Sequence, residues 1–111
     1  MPRFLISFDD GAMQIPDTEM QAVSDAAHAV VRAAQGAGVW VFGGGIDRQR
    51  TIVATDGTVT GGAKPETKSV IGGFVILDVP SRASALEWAA KFAAACRCAQ
   101  DVREIMFDPL I

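Results

Sequence analysis

The sequence contains no tyrosine, a single histidine and two cysteines among its 111 residues. Without tyrosine no phenol can act as an acid or base, so His28 is the side chain best suited to proton transfer near neutral pH. Cys96 and Cys98 are spaced as Cys-x-Cys with no second cysteine pair, which does not match a zinc site. Cys96 continues an apolar helical pattern and is predicted to be a small core residue. The sequence therefore indicates no metal site and encodes no cofactor.

Positive charge is also scarce. Ten Lys and Arg residues stand against thirteen Asp and Glu, giving a net charge of -3. The basic residues are scattered, which argues against nucleic acid and anionic membranes as partners. No apolar run approaches the roughly 20 residues of a membrane span, and residues 1–8 do not resemble a secretory leader. We expect a cytoplasmic protein with reduced thiols.

Hydrophobic residues, in contrast, make up 50% of the chain. The length fits one domain, residues 1–111. A domain this small exposes much surface for its volume, so an apolar excess suggests a face that is covered by a partner. We therefore expect a homodimer.

Apolar periodicity and turn residues divide the chain into strands and helices. Strands are predicted at residues 3–8, 38–42, 50–55, 58–60, 73–79 and 101–107. Helices are predicted from Asp17 or Thr18 to Gly36 and over residues 81–95. The first has a Thr18/Gln21 capping box, and the second has a Ser81 cap or, alternatively, a Ser84/Glu87 capping box. Asp56-Gly57 indicates a two-residue hairpin loop, and Gly43–Gly45 is expected to break the second strand.

This order of elements predicts an α+β fold of the ferredoxin-like, split βαβ kind. Its antiparallel sheet would carry both helices on one face. Several strands are apolar on both faces, so the second face also needs cover. A second copy of the same sheet would supply it, which gives a dimeric α+β barrel.

Several segments resemble the DGPF branch of the YCII-related proteins. These are Val59–Gly62, Pro65–Lys68, Gly72–Phe74, Leu77–Val79 and the helix over residues 81–95. Where the branch carries Asp-Gly-Pro-Phe, this chain has Gly61-Gly62-Ala63-Lys64. The resemblance spans nearly the whole chain and implies a ferredoxin-like fold and a dimer with facing sheets. It implies little about chemistry.

The wider YCII superfamily includes enzyme-like members with a His on a helix and an Asp after the second strand. The resemblance implies His28 as a general base and Asp47 as the residue that orients it. Helical spacing supports a plainer alternative, because His28 falls on the flank of the first helix with Gln21 and Arg32. A flanking His is solvated or contacts a partner.

Five further residues are candidate ligand contacts. Arg48 and Arg50 follow the triple glycine, where a guanidinium could hold a carboxylate; the alternative is an ordinary charged loop. Glu66 and Lys68 lie in the resemblance block, where they could instead pair to fix the loop. Trp40 could line a ligand cavity between the facing sheets or fill the core.

Three functions follow from these residues. The first is binding of a small acidic or aromatic molecule between facing sheets, which predicts a cavity containing Trp40 and a charged side chain. The second is His/Asp acid–base chemistry, proton transfer or elimination, which predicts that His28 and Asp47 face one cavity. The third is a regulatory interaction module, which predicts an apolar patch that stays exposed in the dimer.

Overall fold

The computed structural model describes residues 1–61 and 70–111 of the chain. Its elements are β1 (Arg3–Asp9), a 3-10 turn (Asp17–Glu19), α1 (Met20–Gly36), β2 (Trp40–Gly45), β3 (Thr51–Val53), β4 (Val59–Gly61), β5 (Ile71–Asp78), α2 (Arg82–Cys96) and β6 (Asp101–Glu104). The predicted α+β class is confirmed. The predicted Glu66 and Lys68 contacts lie outside the described residues.

Four strands form one antiparallel sheet in the order β2-β5-β1-β6. β5 lies between β1 and β2, and β1 lies between β5 and β6, so the sheet contains two interleaved split βαβ units. This is the ferredoxin-like arrangement that the element order predicted. β3 and β4 pair separately, with Ile52 opposite Thr60.

The core lies between one sheet face and both helices. Strand alternation points Phe4 and Ile6 of β1 towards the helices, where each is 1% exposed. Leu77 of β5 packs beside them, and α1 and α2 contribute mainly small residues and one large one, Phe92. Each buried large side chain stabilises the fold by about 1.5–3 kcal/mol. Alanines at the contact let the helices approach the sheet closely.

The second strand continues through the triple glycine that was predicted to break it. Gly43, Gly44 and Gly45 pair in register with β5. Pairing with the neighbouring strand outweighs the weak strand preference of glycine, which depends strongly on context.

The last strand is shorter than predicted and ends at Glu104. Its neighbour β1 begins at Arg3, whose carbonyl oxygen accepts a hydrogen bond from the Ile105 N–H at 2.8 Å. The residue before it, Pro2, points its carbonyl oxygen to the other side of β1, where it accepts a hydrogen bond from the Val79 N–H at 3.0 Å. Residues 106–111 follow the last hydrogen bond between the two strands and leave the sheet.

The predicted N-terminal cap forms in α2 but not in α1. Ser81 caps α2 as predicted, because its side chain accepts a hydrogen bond from the Ser84 N–H at 3.1 Å. The Thr18/Gln21 capping box does not form, since α1 begins at Met20 without a side-chain cap. Gln21 Nε2 instead donates to Asp25 Oδ1 one turn further along, at 2.8 Å.

The predicted β3–β4 hairpin is confirmed, but its loop has three residues, 55–57, rather than two. The Ala54 N–H donates to the Thr58 carbonyl at 2.8 Å, and the Gly57 N–H donates to the Ala54 carbonyl at 2.9 Å. Gly57 has a φ of +89°, whereas Asp56 is not left-handed. A two-residue type I′ loop needs positive φ at both positions.

The sheet face opposite the helices carries apolar side chains as well. Alternation places Leu5, Phe42, Phe74 and Ile76 there, and we call these four residues the open face. The Phe42 and Phe74 rings contact each other with centroids 5.9 Å apart, yet Phe42 is 62% exposed. Leu5, Phe74 and Ile76 are half-buried, so Phe42 is the most exposed member of the open face.

Candidate ligand-binding cavity

A cavity of about 340 Å³ lies between α1 and the helix-covered face of the sheet. Ile6, Phe8, Trp40 and Val75 line it from the strands, and Phe92 and Cys96 line it from α2. Its α1 wall consists of Val23, Ser24, Ala27, His28 and Val31. These residues recur at three- and four-residue steps, which brings them to one side of the helix.

Glycines in the sheet create this space. Gly43 and Gly45 line the cavity without side chains, and a Cβ added at Gly45 would have no atom within 4 Å. Gly73 lets the Phe8 ring lie across the sheet, since a Cβ there would be 2.5 Å from Phe8 Cζ. The run of glycines thus replaces a packed core by a volume that a ligand can fill.

The wall is mainly apolar, with a few polar groups. Ser24 and His28 are one helical turn apart on α1, and His28 is exposed, so it lies at the rim. Gln100 also lines the cavity, and its Nε2 donates to the Cys98 carbonyl at 3.3 Å. Among the described lining residues, His28 and Cys96 are the titratable ones.

The Cys96 thiol faces the cavity in protonated form at neutral pH. Burial raises the pKa of Cys96, and the neighbouring Cys98 raises it further. The pKa of Cys98 is also raised by burial, against a smaller lowering by its hydrogen bond from Gln100. A protonated thiol is a weak nucleophile, so Cys96 contributes shape and polarizability to the cavity rather than reactivity.

A family model for the YCII-related domain matches residues 3–106. The chain belongs to the YCII-related family. This match covers both split βαβ units and every residue named in the cavity wall. A comparison with the curated proteins gave no match.

Two further observations on this YCII-related chain concern metal ligands and membrane-spanning helices. Within residues 1–61 and 70–111, no group of three or more His, Cys, Asp or Glu side chains could hold a metal ion. Over the same part of the chain, no helix combines the length and apolarity that a membrane crossing requires.

Trp40 lines a cavity as predicted, but this cavity lies on the helix-covered side of the sheet. The predicted cavity would lie on the other side, between two facing sheets. Trp40 pairs with Leu77 and packs against the core cluster under the helices. The bulge between Trp40 and Phe42 shifts the strand register, which sends Phe42 to the open face and Trp40 to the helix side. A ligand beside Trp40 would therefore lie between α1 and the sheet, not between two sheets.

The structure does not bring His28 and Asp47 into one site in this YCII-related chain. His28 lines the cavity, whereas Asp47 is exposed and is not among the described lining residues. The Asp47 carboxylate Oδ1 accepts a hydrogen bond from the Gln49 N–H at 3.2 Å, which closes the turn after β2.

The two candidate arginines also lie away from the cavity wall. Arg48 Nε lies 3.2 Å from Asp10 Oδ1, and both side chains are substantially exposed. This pair ties the loop after β2 to the loop after β1. Arg50 is half-buried at the start of the hairpin.

Sequence reasoning missed Ser24 and Gln100. Ser24 could have been found, since it precedes His28 by four residues on a helix. Gln100 lies in the short connection after α2, and no sequence spacing relates it to α1.

Proposed function

We propose that this YCII-related protein is a single-domain, cytoplasmic homodimer that binds a small aromatic acid in the cavity between α1 and the sheet. The observation that carries the proposal is the cavity itself, apolar along its walls and bordered by one imidazole. Such pockets, with a few convergent polar groups, are the usual form of small-molecule sites.

The size and lining of the cavity support this class of ligand. A volume of about 340 Å³ suits one ring with short substituents. Phe8, Trp40 and Phe92 offer aromatic surface for offset or edge-on ring contacts. Ser24 and His28 at the rim can receive a carboxylate or hydroxyl, because both side chains donate hydrogen bonds.

The homodimer is supported by the open face. Leu5, Phe42, Phe74 and Ile76 form an apolar surface on the side of the sheet that the helices do not cover. A second copy would bury this surface through a self-complementary contact. The cavity lies on the other side of the sheet, so one dimer would hold two ligands.

Binding can be tested by the fluorescence of Trp40. A Trp88→Phe background leaves Trp40 as the single tryptophan, and benzoate, phenylacetate and benzyl alcohol serve as probes. Ala27→Leu adds three carbons on the cavity side of α1, and Ala29→Leu makes the same change at an exposed position of that helix. We expect Ala27→Leu to weaken probe binding at least about tenfold, or 1.4 kcal/mol. No saturable quenching by any probe, or equal affinity in the two variants, would contradict the proposal.

The contribution of His28 to ligand recognition can be tested by substitution. His28→Gln keeps a hydrogen-bond donor but removes the imidazole. We expect His28→Gln to weaken benzoate binding more than benzyl alcohol binding, because only benzoate brings a carboxylate to the rim. Equal effects on the two probes would show that the carboxylate does not contact His28.

His28 at the rim also favours a second candidate, acid–base catalysis on the bound molecule. His28 would take a proton from a carbon next to the ligand carboxylate, the electron pair of the broken C–H bond would delocalise into that carboxylate, and His28 would return a proton to the same carbon. Asp47 would orient His28 after movement of the loop that follows β2. Deuterium exchange into bound phenylacetate, followed by proton NMR, tests this. Exchange that disappears in both His28→Gln and Asp47→Asn supports catalysis, and binding without exchange supports a binding protein.

A further inference from the structure

Residues 105–111, Ile-Met-Phe-Asp-Pro-Leu-Ile, form an apolar arm that leaves the edge of the sheet. Met106, Phe107 and Leu110 are 87–88% exposed and Ile111 is 99% exposed. Large apolar side chains are rarely exposed at this density on a soluble monomer.

The arm has a defined conformation. Asp108 Oδ1 accepts a hydrogen bond from the Leu110 N–H at 2.8 Å, and the Asp108 carbonyl accepts one from the Ile111 N–H at 3.2 Å. These contacts form a turn after Pro109, which restricts the backbone. Less conformational entropy is therefore lost when the arm docks.

The arm does not cover the open face of its own chain. The sheet order makes β6 an edge strand, and the arm departs from it after Ile105. Phe42, on the opposite edge strand β2, remains 62% exposed. The chain thus presents two separate apolar surfaces, the arm and the open face.

We propose that the apolar arm of one copy packs against the open face of a second copy, and that the second copy returns the same contact. This proposal rests on the homodimer proposed above and adds which segments exchange. In a two-fold symmetric dimer, any contact from the first copy to the second is repeated from the second copy to the first. The arm and the open face of each chain would therefore both be buried, each against its counterpart on the other copy.

The reach of the arm agrees with this arrangement. The turn over residues 108–111 shortens the arm, so its extended part is residues 105–108. Four extended residues span roughly 13 Å, and the distance from β6 to β2 across the sheet is about three strand spacings, or 14 Å.

Asp108 is the one charged side chain in the arm. Alternation places Arg3 and Arg103, but also Asp78 and Asp101, on the same side of the sheet as the open face. These charges balance, so the apolar side chains of the arm, and not Asp108, carry the contact.

The amount of exposed surface also fits a second copy. The whole chain of 11.7 kDa has an accessible surface of 7542 Å². A compact monomer of this mass exposes roughly 5,900 Å². The excess is about 1,600 Å² on each chain, or about 3,200 Å² for two chains, which lies in the range of obligate homodimer interfaces.

The first test compares association of the full chain by sedimentation equilibrium. The arm variant is Phe107→Ser/Leu110→Ser, and the matched control is Met20→Ser/Leu86→Ser, at two half-exposed apolar positions on the helices. We expect the arm variant to raise the dimer dissociation constant at least about hundredfold, since each dimer loses four buried side chains. The control should change it less than about threefold.

The second test identifies the contact itself. Isotope-labelled Phe107→Cys chains are mixed with unlabelled Phe42→Cys chains, both carrying Cys98→Ala, and treated with a short bismaleimide. We expect a link between labelled and unlabelled chains in mass spectrometry, and no link when Leu86→Cys replaces Phe42→Cys.

The outcomes separate the two proposals. A monomeric wild-type chain would overturn both. A wild-type dimer that survives in the arm variant, without the 42–107 link, would overturn the exchange of arms and leave the homodimer standing. A 42–107 link within one chain of a Phe42→Cys/Phe107→Cys variant, at dilution, would also overturn it, because the arm would then cover its own sheet.

Discussion

At Gly43 the strands β2 and β5 approach so closely that a methyl group has no room. A Cβ there would lie 2.6 Å from the Phe74 carbonyl oxygen and 2.9 Å from Val75 Cα. Both atoms belong to the backbone, so neither can rotate away. We predict that Gly43→Ala lowers the free energy of unfolding by about 1–3 kcal/mol, the usual cost of overpacking.

Gly45 provides the control for this prediction, because it lies in the same strand and an added Cβ would meet no atom within 4 Å. Gly45→Ala should stay within about 0.5 kcal/mol of the wild type. Urea unfolding measures both variants, with unchanged m-values as the sign that the compared states are the same. Equal effects of the two substitutions would mean that strand preference, not the close approach, selects glycine here.

The two cysteines should make the free energy of unfolding depend on pH in the alkaline range. Burial raises the pKa of both thiols in the folded chain, with a further increase at Cys96 from Cys98. Their contribution is therefore complete below the unfolded thiol value of about 8.5 and is lost as the pH rises through the raised folded values. We predict that the free energy of unfolding declines as the pH rises above about 8.5.

In Cys96→Ala/Cys98→Ala the free energy of unfolding should decline less steeply over the same pH range. Urea unfolding at each pH measures this difference in slope. Comparing the slopes excludes any pH-independent loss of stability that the substitutions cause. Parallel slopes would show that other groups control the alkaline response.

At the scale of the elements, the end of α2 shows two opposing effects at Arg97. Arg97 has a φ of 58°, the one positive value at a described residue other than glycine. Such a left-handed residue costs roughly 1–2 kcal/mol unless it is glycine. Its guanidinium forms an ion pair with Glu19, which links the end of α2 to the start of α1. Both side chains are about half exposed, so this pair contributes only about 0–1 kcal/mol.

The backbone cost at Arg97 is larger than the contribution of the ion pair, so it should decide how substitutions at Arg97 change stability. We predict that Arg97→Gly is neutral or stabilising and that Arg97→Ala is destabilising, with a difference of about 1 kcal/mol between them. Thermal and urea unfolding of both variants measure it. If Arg97→Gly loses as much stability as Arg97→Ala, the ion pair would dominate, and Glu19→Gln should then reproduce that loss.

The sequence predicted α2 better than β2 because different forces define them. Ser81 caps α2 through a contact three residues away, which local sequence reveals. β2 continues through Gly43–Gly45 because β5 pairs with it, and that partner is about thirty residues distant in the chain. Long-range pairing of this kind has no local signature.

The candidate site was predictable to the extent that helix geometry controls it. Ala27 and Val31 could be placed on one side of α1 from spacing alone, whereas the same spacing put His28 on the flank of the helix with Gln21 and Arg32. The position of Trp40 under the helices depends on a bulge in β2, and the cavity depends on which glycines face α1. Both are results of strand register, which the sequence did not reveal.

At the scale of the whole molecule, the described chain leaves three apolar regions in contact with solvent. These are the open face, the apolar arm and the hairpin pair Val53–Val59, whose two side chains are 65% and 61% exposed. A two-stranded hairpin alone is marginally stable in water. If the proposed homodimer buries these regions, we expect folding and association to be coupled.

Coupling of this kind makes the melting temperature depend on protein concentration, even when the dimer is too tight to dissociate before it unfolds. A hundredfold increase in concentration adds about 2.7 kcal/mol per dimer, which corresponds to a rise of about 5–10 °C for a folding unit of two chains. We predict this rise for the wild type in scans at a fixed heating rate, and its loss in Phe42→Asp, since a charge on the open face would be buried without a partner. Leu86→Asp, at a half-exposed position on α2, should keep the concentration dependence. A wild-type melting temperature that is the same at all concentrations would mean that each chain folds alone, with its open face in water.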